Sequence, residues 1–158
     1  MATGRTTTER VLEAMAAAGV VALVVYAFVV WPSLPPRVPI HFGFSGPPTS
    51  WAGRGALAIL PGAAVFAYLA ATISQRFPRA YNFPVPVTPA NADRLYTLAR
   101  RLATSVKLVM TAIFGYLFWL CAAIARGEAT GLPAWFFPTV IVVVSSLIIT
   151  TYARMKRC

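Results

Sequence analysis

His41 is the single histidine of a 158-residue chain. It lies in the Pro- and Gly-rich stretch 33–51, SLPPRVPIHFGFSGPPTSW. A histidine can ligate a metal, titrate near neutral pH or fix a loop by hydrogen bonding. A metal would need further Cys, Asp or Glu ligands beside it, and 33–51 supplies none. Nucleophilic catalysis would need a base paired with a nucleophile. The loops on the same side offer only hydroxyls and Glu128. The two cysteines, Cys121 and Cys158, have neither metal spacing nor a framework for pairing. Cys121 reads as a packing residue and Cys158 as a candidate for lipidation. The chemistry therefore points to recognition: no enzyme, no metal and no cofactor are expected.

The elements that must position this stretch follow from composition. Apolar residues make up 58% of the chain and charged residues 11%, against about a quarter charged in soluble domains. The apolar residues fall in four blocks, at about 14–31, 56–73, 108–125 and 135–152, each free of charge. A helix needs ~17–25 such residues to cross a bilayer. The expected fold is an all-α integral membrane protein with four transmembrane helices and a short, extended, Pro-rich extracytoplasmic cap. It forms a single membrane domain over 1–158, with an outer loop at 32–55 and a basic inner loop at 76–107. The formal charge of +10 is explained by topology. Eleven of the fourteen cationic residues fall on the side of the termini, whereas Arg37, Arg54 and Arg126 fall on the other. The positive-inside rule then puts both termini in the cytoplasm, and no nucleic-acid role is needed.

Residues 1–8 are polar and expected to fray, with Glu9, Arg10 and Glu13 at the cytoplasmic edge. The run then extends to Trp31 and reads as an uncleaved anchor. Ala14, Ala18 and Ala22 suggest a small-residue packing stripe. In the cap, Val38, Ile40, Phe42 and Phe44 alternate with Arg37, Pro39, His41 and Gly43, which predicts an extended segment with two faces. Ser45-Gly46-Pro47-Pro48 reverses the chain, and Trp51 anchors its return. The alternation at 80–88 is interrupted by Pro84 and Pro86, so an extended edge segment is expected. Thr88 and Pro89 predict the cap and first residue of a helix running to Ala125, with Leu95, Leu98, Leu102 and Val106 on one face. Lys107 is expected to snorkel to the headgroups. Arg126 and Glu128 form an exposed pair, and Trp135 and Phe136 form an interfacial belt.

The run 34–42, LPPRVPIHF, then Gly46-Pro47-Pro48 and Trp51-Ala52-Gly53, resembles a bacterial membrane domain of unknown function that forms the N-terminal part of SdpI-type toxin-immunity proteins. Asn82-Phe83-Pro84-Val85 and Thr88-Pro89-Ala90-Asn91, with Tyr96 and Arg100, are similar to that family too. The resemblance implies a multi-pass protein of the bacterial cell (inner) membrane, and immunity or signalling for members close to the namesake. At Gly43, Pro47 and Thr49 this chain lacks the polar and acidic residues that members often carry. It also lacks the further C-terminal spans of full immunity proteins.

The expected function is a membrane binding, signalling or immunity-like protein of the cell envelope with an extracytoplasmic recognition loop. The alternative is an oligomeric pore or small transporter subunit, against which stands the lack of ionisable residues near the centre of any span. The candidate binding residues in the cap are Arg37, Pro39, His41, Phe42, Gly46, Pro48 and Trp51. The inner-loop candidates are Asn82, Pro84, Thr88, Pro89, Asn91, Tyr96 and Arg100. Expected partners are membrane lipid, an envelope peptide or protein, and a cytoplasmic protein, with oligomers allowed.

Overall fold

The computed structural model describes residues 6–43 and 45–158. Four helices carry the chain: α1 (Thr7–Val30), α2 (Ile59–Ser74), α3 (Ala92–Ala125) and α4 (Phe136–Lys156). Between α1 and α2, β1 (Arg37–Phe42) and β2 (Pro48–Gly53) pair antiparallel. A 3-10 turn over Arg54–Ala58 leads into α2. With their flanking turns, all four helices are long and apolar enough to span a membrane. Helices satisfy their own backbone groups in lipid, which makes them the natural solution for these blocks. The chain is a multi-pass, all-α membrane protein with a small two-stranded cap, as its composition predicts.

The helix ends correct several expectations. Thr6–Thr8 are not frayed. The Thr6 hydroxyl accepts the Glu9 N–H at 3.2 Å and the Glu9 carboxylate accepts the Thr6 N–H at 2.8 Å, a reciprocal capping box. Residues 1–5 lie outside the described residues. The third helix starts at Ala92 with Asn91 as its N-cap residue, rather than at Pro89 with Thr88 as cap. The cause is local. Asn91 Oδ1 accepts the Thr88 N–H at 2.8 Å while Asn91 Nδ2 donates to the Pro86 carbonyl at 3.0 Å, tying 86–91 into a turn ahead of the helix. At its far end α3 stops where Gly127 takes φ +79°. The Gly127 N–H reaches the Ile124 carbonyl and the Glu128 N–H reaches the Ala123 carbonyl, at 3.0 and 2.9 Å. This is a Schellman closure, which satisfies the last carbonyls.

The packing is centred on α3, which touches α1, α2, α4 and β1. Lipid tails are as apolar as leucine, so association of the helices depends on close van der Waals fit. Small residues provide it: Ala16, Ala27, Ala64, Ala99, Ala122 and Ala123 are all buried. The buried stripe of α1 is Ala16, Val20, Leu23 and Ala27. Ala14, Ala18 and Ala22 are exposed, so the expected stripe is shifted around the helix. Phe136 is not a belt residue. It is buried and stacks on Tyr116 at 5.2 Å between centroids, because α4 leans its first turn against α3. Trp135 does remain exposed.

Candidate functional site

At the cap end, the hairpin is seated by its first strand. Val38 and Pro39 are buried, with Val38 packed in one cluster with Leu34, Leu57, Phe118 and Ala122. The expected two-faced alternation does not hold. Ile40 is 51% exposed, beside exposed His41. Pro39 is buried beside Val38 while still regularly paired with Trp51, and beyond it the register is irregular: His41 faces Ser50, with shifts on both sides of His41. A bulge of this kind re-aims side chains. Phe42 is half-buried against two core clusters, and Phe44 lies outside the described residues. Arg37 is exposed opposite Gly53, and Pro48 pairs with Phe42.

Gly46 fixes the turn to the rest of the molecule. Its φ is +102° and its carbonyl accepts the Leu132 N–H at 2.8 Å. A Cβ there would sit 2.5 Å from the Leu132 carbonyl oxygen, so the close backbone approach requires glycine. The cap candidates therefore divide. Pro39, Phe42, Gly46 and Pro48 build the hairpin, whereas Arg37, His41 and Trp51, joined by Ile40, form its exposed surface. Beside them a cavity of about 260 Å³ is bordered by His41, Phe42, Leu60, Leu117, Cys121 and Phe136. In the neighbouring α3–α4 connection, Arg126 donates to both carboxylate oxygens of Glu128, at 2.7 and 2.9 Å. These bonds hold the Glu128 carboxyl below its usual range. The pair is on the surface and contributes little to stability.

The opposite, basic end gathers most of the other candidates. Phe83 packs on Tyr81 and on Tyr96, with centroids 6.3 and 5.7 Å apart. This brings the two halves of the inner motif together over Leu95, Ala99 and Met155. Thr88, Pro89 and Asn91 form the turn described above. Asn82 and Pro84 border a large groove. Arg100 points elsewhere: it bonds Thr97 at 3.1 Å and faces Glu9 at 3.6 Å. That separation makes an ion pair but is too long for a hydrogen bond, so Glu9 Oε1 and Arg100 Nε stay buried without one.

Beneath Arg100 lies a constellation that sequence reasoning missed. Lys107 does not snorkel. It is 1% exposed and its Nζ bonds Glu13 Oε1 at 2.6 Å. The other Glu13 oxygen accepts from Thr104 at 3.2 Å, and Tyr68 donates to Oε1 at 3.2 Å. Gln75 donates to Thr104 at 3.0 Å and to the Arg100 carbonyl at 3.2 Å. The Lys107 ammonium also stands 4.8 Å above the Tyr68 ring. Three helices are thus tied through one neutralised pair. A legible signal existed: Glu9 and Glu13 share one face of α1, while Arg100, Thr104 and Lys107 share one face of α3.

A family model described as "Domain of unknown function (DUF1648)" matches residues 18–65. These run from within α1 through the whole hairpin into α2. Neither the curated proteins nor the solved structures give a match.

Proposed function

We propose that this chain is a binding and signalling protein of the bacterial cell envelope that meets an envelope peptide or protein through its hairpin. The observation that carries the reading is the division of the cap. Its backbone is locked by the Val38 and Pro39 packing and by the Gly46–Leu132 bond. Ile40, His41 and Trp51 nonetheless stay exposed on that frame. A rigid frame presenting aromatic and apolar side chains has little ordering entropy to lose on binding, and aromatic anchors dominate interface energy.

The orientation is supported by charge. Arg10, Arg76, Arg94, Arg100, Arg101, Arg154, Lys156 and Arg157 cluster at one end, and Arg37, Arg54 and Arg126 at the other. The positive-inside rule assigns the first group, with both termini, to the cytoplasm of a bacterial inner-membrane protein. The basic end would then meet anionic lipid or a cytoplasmic protein. The immunity-like role rests on the resemblance of the cap and inner-loop motifs alone.

A test is to replace Ile40 with Ser, His41 with Ala and Trp51 with Ala together, then cross-link native membranes and follow co-purifying proteins. A discrete cross-linked species should vanish with the triple variant and persist with Phe66→Ala on the lipid-facing side of α2. Persistence with the triple variant would sink the recognition reading. A second reading, an oligomeric pore or small transporter subunit, draws on the Glu13–Lys107 pair, because buried ionisable groups often mark transport paths. Solute flux into liposomes that Lys107→Met abolishes would favour it.

A further inference from the structure

A cavity of about 640 Å³ lies at the basic end between α2, α3 and α4, under 81–84. That falls within the ~300–1,000 Å³ of small-molecule pockets. Its wall is mainly apolar, with Ala71, Leu102, Ala103, Val106, Ile148 and Met155 among the lining residues. Asn82, Thr151 and Tyr152 interrupt that lining. Among the described residues none of the three makes a side-chain hydrogen bond. Tyr152 also carries a cation, since Lys156 Nζ lies 5.2 Å over its ring. The neighbouring Arg154 makes the last turn of α4 basic. The groove is therefore graded, apolar along α3 and polar, then cationic, toward the end of α4.

We propose that this groove holds one acyl chain of an anionic glycerophospholipid, whose phosphate lies beside Lys156 and Tyr152. The chain runs along Leu102, Val106 and Ile148, where lipid is the surrounding solvent. Asn82 and Thr151 serve the ester and glycerol oxygens between chain and phosphate. Charge selects this occupant over two others. A second copy of the chain in the same orientation would set its own basic end against this one. A zwitterionic lipid brings an ammonium toward Lys156. The inference stands apart from the cap reading and holds for either orientation in the membrane.

The test uses the full chain in detergent micelles, mixed with phosphatidylglycerol or phosphatidylcholine of matched acyl chains. Retained lipid is counted by native mass spectrometry. The protein should keep one phosphatidylglycerol with about a fivefold preference over phosphatidylcholine, the effect of one lysine at a membrane surface. Lys156→Gln, an exposed change, should erase the preference, so that the two lipids are retained equally. Ala103→Phe should fill the groove and strip both lipids. Ile148→Phe fills it from the other wall should Ala103→Phe not fold. Equal retention of both lipids by the unaltered protein would overturn the headgroup assignment. Unchanged retention in a folded groove-filling variant would overturn the site itself.

Discussion

The two ends of the bundle are held together by opposite means. At the cap, the joints are backbone hydrogen bonds and apolar packing, as in Gly46 to Leu132 and Val38 against Phe118 and Ala122. At the basic end, α1, α2 and α3 are joined by charges and hydroxyls centred on Glu13 and Lys107, beside the apolar cluster of Leu95, Ala99 and Met155 that takes in α4. The difference teaches where side chains are free to serve recognition. A frame built from backbone and buried aliphatics leaves its outer residues dispensable for folding. A frame built from ion pairs commits its polar residues to holding the helices. His41 and Trp51 belong to the first kind, and Glu13, Gln75, Thr104 and Lys107 to the second.

The strongest way to break that contrast is to remove one charge at the basic end. Lys107→Ala leaves the half-buried Glu13 carboxylate without its cation and should cost about 3 kcal/mol, read by unfolding in micelles. Replacing both partners, Glu13→Gln with Lys107→Met, should recover much of that loss, because no charge is then stranded. If the single and double variants unfold alike, the pair is not what ties the helices. Next in size, Gly46→Ala forces a strained φ and drives a methyl group into the Leu132 carbonyl. About 1–3 kcal/mol should be lost, confined to amide exchange in 37–53. Spread of that loss to the amides of α1 near Glu13 would show that the ends are one cooperative unit.

Much of this architecture can be read in the chain. The four uncharged blocks demand spanning helices, and Ser45-Gly46-Pro47-Pro48 between alternating segments demands a reversal. What stayed hidden depended on partners far away in sequence. Lys107 borders an apolar block, so hydropathy alone places it at a headgroup; its partner Glu13 is 94 residues distant. Alternation in β1 predicted the faces of Arg37 and Val38, but Pro39 is buried beside Val38 although its register is regular, and the shifts around His41 have no marker in residue type. Asn91 displaced Thr88 as the helix cap because its amide could reach both Thr88 and Pro86, a choice made by geometry.

Smaller effects sharpen the contrast further. Thr6→Ala removes the capping box that starts α1 beside the charged cluster and should cost about 1 kcal/mol, visible as faster exchange at the first helical amides. His41→Ala and Trp51→Ala should each change stability by no more than about 0.5 kcal/mol. A larger loss from either would make it part of the frame. Arg126→Ala should leave stability within the same margin, while the Glu128 carboxyl rises toward its ordinary range in an NMR titration.

The central claim is that the cap presents residues for a partner while exposed residues along the helices meet only lipid. A photo-reactive amino acid placed in turn at Trp51 and at Phe66, which is 75% exposed, tests this in native membranes. The account predicts a discrete protein adduct from position 51, lost when His41 is also replaced by Ala, and lipid adducts alone from position 66. Lipid adducts alone from both positions would contradict it.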